Sequence, residues 1–172
     1  MSLTPLEPGW FAKPLPRDEK LFIYVTIIGV VIMSVVTLGW LVVGKQNVPA
    51  TSFKALPAEY EKIVMDFQKK YEVKSGIVRV PPGEKAYIIG KMWRWEPQLI
   101  LKKGYTYTIY VSSKDVLHGF SLMPDNLNIM AIPGHAYGMK LTPTKTGEYL
   151  IVCNEYCGLG HQAMTGKIIV ED

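Results

Sequence analysis

Residues 153–164 read Cys153-Asn154-Glu155-Tyr156-Cys157-Gly158-Leu159-Gly160-His161-Gln162-Ala163-Met164, directly after a strand-like run, residues 147–153. Two thiols, an imidazole and a thioether thus fall within one short loop. Thiolate and thioether are soft donors and imidazole is intermediate, a set that selects copper over magnesium or calcium. Taken singly, each residue has an ordinary explanation. A C-x-x-x-C pair can be a disulfide in an extracytoplasmic domain, a lone methionine usually fills a core, and a lone histidine usually sits in a loop. Half of a structural zinc site is another reading, but such sites add a second Cys or His pair, and zinc rarely recruits methionine. Taken together, at C-x3-C-x3-H-x2-M, the four donors read as a copper loop. One further ligand is expected from upstream, because a copper site in a β-sandwich joins residues distant in sequence. Only His118 and His135 are available. His118 lies between two strand-like runs, where it can face a C-terminal loop. His135 follows Pro133-Gly134 in an expected turn and reads as solvent-exposed, so His118 is the expected ligand.

The sequence around the loop fits a sandwich. From residue 76 onward, strand-type runs are expected at 76–80, 86–91, 98–102, 105–112, 118–122, 128–132, 136–141, 147–153 and 167–170. Turn signals separate them at Pro81-Pro82-Gly83, Lys103-Gly104, Pro124-Asp125, Pro133-Gly134 and Thr146-Gly147. Many short strands at regular spacing predict an all-β antiparallel sandwich or barrel. There is no βαβ alternation, no glycine-rich phosphate loop and no internal repeat. Upstream, residues 44–56 read as a linker. Tyr60, Ile63, Val64, Phe67 and Tyr71 then recur at helical spacing behind Pro57, predicting one short amphipathic helix to about Lys70.

Composition limits the remaining possibilities. The 172 residues are 48% hydrophobic, with mean hydropathy +0.12. The apolar surplus is local: residues 21–43 contain no charge and, at about 1.5 Å per residue, are long enough as a helix to cross a bilayer. The run is too long for a signal-peptide core, and the following Gly-Lys-Gln-Asn-Val-Pro-Ala is a poor cleavage site. Lys13, Arg17 and Lys20 precede the span and only Lys45 follows closely, which favours a cytoplasmic N-terminus. The net charge of +4 belongs to residues 45–172, with 16 basic and 12 acidic side chains. No basic run with interleaved aromatics occurs, so nucleic acid is not an expected partner. The expected organisation is a cytoplasmic segment (1–20), a transmembrane helix (21–43), a linker with the amphipathic helix (44–75) and a copper domain (76–172).

The chain resembles subunit II of haem-copper cytochrome c oxidases, which carries the binuclear CuA centre. The likeness runs through Met92-Trp93-Arg94-Trp95, Asp115-Val116-Leu117-His118-Gly119-Phe120, Pro133-Gly134, Gly147-Glu148-Tyr149 and the cysteine loop. It covers nearly all of residues 76–172. A single N-terminal span, instead of two, is similar to the B-type oxidases of thermophilic prokaryotes, whose N-terminus is cytoplasmic. The resemblance implies a cupredoxin-like sandwich, single-pass in a prokaryotic cell membrane with the copper domain outside the cytoplasm. It implies Cys153 and Cys157 as bridging thiolates, His118 and His161 as one imidazole for each copper, and Met164 and the Glu155 carbonyl as weak ligands.

The resemblance also implies partners: the haem-containing subunit I, further small subunits, membrane lipid, and cytochrome c as donor, with Trp93 admitting its electrons. Trp95 receives no role. In many family members the residue at the Glu155 position helps bind magnesium at the subunit I interface, while others carry a neutral residue there. Two other functions compete. A mononuclear blue-copper carrier needs only one thiolate, which the second cysteine disfavours. A membrane-tethered copper chaperone needs open, mobile ligands, whereas this set reads as closed and buried.

Overall fold

The computed structural model describes residues 9, 12–44 and 49–172, and the chain divides into two compact units, 1–46 and 47–172. In the first, helix α1 (Arg17–Val43) takes in the whole uncharged run and begins four residues earlier, with Asp18 and Glu19 in its first turn. Carboxylates there suit the partial positive charge of a helix N-terminus. None of its side chains is buried within the unit, and it is long and apolar enough to cross a membrane. Two of its hydroxyls are satisfied locally: those of Thr26 and Thr37 donate to the carbonyls of Phe22 and Met33, at 2.9 and 2.8 Å. Such back-bonding is how hydroxyls are accommodated where no water is present.

The second unit is a two-sheet sandwich. Its elements are β1 (Thr51–Lys54), α2 (Pro57–Tyr71), β2 (Glu72–Lys74), β3 (Ile77–Arg79), β4 (Lys85–Lys91), β5 (Arg94–Glu96), β6 (Gln98–Lys102), β7 (Tyr107–Ser113), β8 (His118–Met123), β9 (Leu127–Ala131), β10 (His135–Leu141), β11 (Gly147–Cys153) and β12 (Thr165–Glu171). One sheet has the order β1-β10-β7-β4-β5, the other β2-β3-β6-β12-β11-β8-β9. Most neighbours pair antiparallel, but β4 with β7, β3 with β6 and β6 with β12 run parallel. The sheets are therefore mixed, where turn signals alone suggested antiparallel hairpins. Strand periodicity carries no information about which distant strand lies alongside.

All nine expected strands form. Three short ones were not expected. β1 lies inside the stretch read as a linker, where Thr51–Lys54 pairs with His135–Gly138 of β10. Its four residues are all exposed, so no alternation marks it. β2 and β5 have three residues each, too few to show a period.

Alternation elsewhere builds the core and aims the functional residues. On β11, Tyr149, Ile151 and Cys153 face inward; on β8, His118, Phe120 and Leu122 do so. Cys153 sits opposite Phe120 in the β11·β8 ladder, so His118 lies two residues further toward the same end. The period of two thus brings a thiol and an imidazole from distant sequence to one end of the core.

Helix α2 seals one face. Pro57 occupies its first turn, and the Leu56 N–H donates to the Glu59 carboxylate at 2.9 Å. Tyr60, Val64 and Phe67 are buried. The Tyr60 hydroxyl donates to the Tyr110 carbonyl at 2.8 Å, with the Ile88 carbonyl at 3.2 Å. It thereby ties α2 to β4 and β7. Tyr60→Phe is expected to cost about 1 kcal/mol of stability in urea unfolding, the usual net worth of such a bond. An unchanged midpoint would show that the hydroxyl does not hold the helix.

Candidate metal centre

The loop after β11 is closed by its own backbone. The Cys153 N–H donates to the Met164 carbonyl at 3.1 Å, joining the two ends of the loop. The Asn154 N–H donates to the Gly119 carbonyl at 3.3 Å and holds the loop's start against β8. Further on, the N–H groups of His161, Ala163 and Met164 donate to the carbonyls of Gly158, Gly160 and His161, at 3.0, 3.0 and 3.1 Å. This tight turn over His161–Ala163 points the His161 ring and the Met164 side chain back toward the cysteines. Two glycines permit the packing. A Cβ on Gly119 would overlap Asn154 and Glu155, and one on Gly160 would overlap the Trp93 ring.

Six donor groups converge. The Cys153 and Cys157 sulfurs are free thiols 3.7 Å apart. His118 Nδ1 lies 3.9 Å from Cys153 Sγ, and the Glu155 carbonyl oxygen 3.3 Å from it. His161 Nδ1 and Met164 Sδ lie 3.6 and 3.7 Å from Cys157 Sγ. His118, both cysteines and Met164 are buried. The donor atoms of His118, Cys153 and Cys157 all lie within 4.8 Å of one another, the only such His/Cys/Asp/Glu group among the described residues. His135 stays apart on β10, its ring stacked on Tyr137 and its carbonyl accepting from Ser112 Oγ at 2.7 Å. Two soft sulfurs at the centre, flanked by two imidazoles, a thioether and a carbonyl, fit copper in donor type.

Protonation follows from burial. Burial, reinforced by the Cys153 thiol beside it, pushes the Cys157 thiol up to about 11. The metal-free Cys157 thiol therefore keeps its proton at neutral pH, and metal uptake must displace it.

Asp115 organises the imidazole from behind. Its Oδ1 lies 2.8 Å from His118 Nε2, which leaves Nδ1 facing Cys153. The same carboxylate accepts the N–H groups of Met92 at 2.8 Å and Val116 at 2.7 Å. Burial disfavours its charge, but these bonds outweigh that and hold the carboxyl below its ordinary range. Carboxylate–histidine pairs of this kind set the tautomer and orientation of a metal ligand. The sequence reading gave Asp115 no role, although an acid three residues before a candidate ligand is the signal that marks it. Trp95 meets the His118 ring edge-on at 5.8 Å and Phe120 at 5.3 Å. It walls the imidazole off from water, with its own indole N–H unpartnered. Trp93 bridges loop and surface. Its indole N–H donates to the Cys157 carbonyl at 3.2 Å, and the residue is 40% exposed.

Known proteins share this arrangement of chain. A family model described as "Cytochrome C oxidase subunit II, periplasmic domain" matches residues 66–172. Cytochrome c oxidase subunit 2 of Thermus thermophilus is 30% identical over 174 residues, 96% of this chain and 92% of its own. Among solved structures, a chain of a heme-copper terminal oxidase dimer seen by cryo-EM is similar at TM-score 0.60 and 29% identity. The match covers 90% of this chain and all of that one. The copper protein rusticyanin aligns at TM-score 0.54 and 16% identity over 70% of this chain and 98% of its own, a likeness of fold. The sandwich is cupredoxin-like.

Three outcomes are expected here. Cys153→Ser abolishes stable copper uptake, measured by metal analysis after gel filtration, whereas His135→Ala leaves it intact. Asp115→Asn weakens copper affinity about 10- to 100-fold in a chelator competition. Copper uptake releases protons in weakly buffered solution, and its apparent affinity falls as pH drops below about 11, the value of the Cys157 thiol.

Proposed function

The chain belongs to the cytochrome c oxidase subunit II family, and from that premise we propose that it holds a binuclear copper centre and accepts electrons from cytochrome c for a haem-bearing subunit I. The observation that carries this reading is the convergence of six donors on a buried pair of thiols. Cys153 and Cys157 would bridge two copper ions, His118 and His161 would each ligate one, and Met164 and the Glu155 carbonyl would be the weak ligands. When bound, the copper pair supplies a one-electron redox centre whose added charge is spread over both metals and both sulfurs.

The protein's part is to hold those donors still and dry. The backbone bond from Cys153 to Met164 fixes the loop ends, Asp115 and Trp95 fix His118, and the Gly158–Met164 turn fixes His161. Donors locked by packing and by further hydrogen bonds change little between oxidation states. A mononuclear carrier would leave the second buried thiol without a role. A chaperone would need the ligands exposed.

Trp93 is the residue we assign to admitting electrons, because it touches both the Cys157 carbonyl and the outside. Around it, Met92 and Tyr156 are exposed, and Leu159 is 86% exposed. With a net positive domain, this apolar rim favours docking by contact with a donor's apolar patch over capture by negative charge. The Glu155 carboxylate would face subunit I and contribute to a magnesium site completed by that partner. Helix α1 would anchor the chain in a prokaryotic cell membrane, with residues 1–20 cytoplasmic and the copper domain of 76–172 outside.

Anaerobic stopped-flow reduction of the copper-loaded chain by ferrocytochrome c tests this. Trp93→Ala is expected to lower the bimolecular rate about 100-fold, the scale of a misplaced reacting contact, with copper content unchanged. Gly160→Ala, which displaces the Trp93 ring, should lower it in the same direction. Full rates in both variants would contradict the role given to Trp93.

A further inference from the structure

Glu61 lies on α2, outside the metal loop, yet its carboxylate reaches the base of the segments that support the site. Its Oε1 accepts from Lys91 Nζ at 3.1 Å and from Lys114 Nζ at 2.8 Å. Lys91 also pairs with Glu96 at 2.9 Å, and Glu96 with Arg94 Nε at 2.6 Å. These residues frame the β4–β5 hairpin, in which Lys91 stands opposite Arg94 and Met92-Trp93 form the turn. Lys114 immediately follows β7 and precedes Asp115, and its N–H donates to the Gly90 carbonyl at 2.9 Å. The Met92 N–H completes the link by donating to Asp115 at 2.8 Å. One carboxylate thus binds the residue before the Trp93 turn and the residue before the acid that orients His118.

The electrostatics make that carboxylate hard to replace. Two ammonium groups share one oxygen, so a neutral group at that point leaves them side by side with only the Glu96 carboxylate, on Lys91, to offset them. Glu61 and Lys91 are only 21% and 20% exposed, so solvent screens this contact less than an open surface pair. The Lys114 ammonium is the main influence holding the Glu61 carboxyl below its ordinary range.

We propose that Glu61 is a positioning residue: it clamps the β4–β5 hairpin to the end of β7 and so sets Trp93 and Asp115 against the metal loop. Its importance for electron acceptance rests on the reading of Trp93 given above; the clamp itself does not. Amide and indole hydrogen exchange followed by NMR on the detergent-solubilised full chain tests it. Glu61→Gln is expected to speed exchange of the Trp93 indole N–H and the Met92 amide about two- to fivefold, the range a half-shielded ion-pair network supplies. Amides of Ile109 and Leu101 in the core should keep their rates. Added salt should reproduce the change in the wild type and do little more in Glu61→Gln. Unchanged exchange at Trp93 and Met92 would overturn the proposal. Equal acceleration at every core amide would also overturn it, since Glu61 would then only stabilise the fold. Should ferrocytochrome c fail to reduce the copper-loaded wild type, the electron-accepting reading falls and the exchange test still decides the clamp.

Discussion

Two thiols held 3.7 Å apart in a buried pocket are the constraint on which the rest of the unit depends. Buried thiols pack as small hydrophobes, but fixing two of them beside an imidazole each takes a scaffold that closes the loop at its two ends. Cys153 ends β11 on the core face, and its N–H reaches the carbonyl of Met164, the residue before β12. The β11·β12 ladder behind that bond runs from Gly147 opposite Val170 to Val152 opposite Thr165. The loop is therefore the rim of a stiff hairpin, and its donor groups inherit the hairpin's rigidity. His118 joins from β8 because that strand pairs with β11 on its other side.

A second layer of contacts surrounds the donors and is electrostatic. Asp115 directs the His118 ring while bonding the Met92 backbone, so the imidazole and the Trp93 turn share one anchor. Glu61 extends that anchor to α2 through two lysines. The helix, whose periodicity marks only an apolar face, thus also has a polar corner aimed at the site. Helix α1 belongs to a separate unit and is long and apolar enough to cross a membrane, and its Thr26 and Thr37 hydroxyls donate to its own backbone.

Legibility in the sequence followed the physics of each feature. The donor groups of the loop stood out because their spacing is local and their residue types are rare. His118 stood out as the candidate because the chain has only three histidines and His135 follows a Pro-Gly turn signal, although the structure makes His135 the first, half-buried residue of β10 and not an exposed turn residue. A strand with alternating burial, such as β11, announced itself by period, while the nearly wholly buried β7 was marked by its β-branched and aromatic residues between turn signals. β1 did not, since an exposed four-residue edge strand shows no pattern. Parallel pairing of β6 with both β3 and β12 was equally hidden, because it depends on contacts far apart in sequence. Asp115 carried a signal in its spacing from His118 that went unused, and Glu61 carried none. A charged residue on a mostly solvated face looks ordinary until the fold shows what its carboxylate touches.

The central claim is that the two cysteines bridge a pair of copper ions instead of serving one metal or each other. Electron paramagnetic resonance of the oxidised, copper-loaded chain tests it most directly. One unpaired electron shared equally by two coppers gives a seven-line hyperfine pattern, the result this account predicts. A four-line pattern, with the electron confined to a single copper, would contradict it.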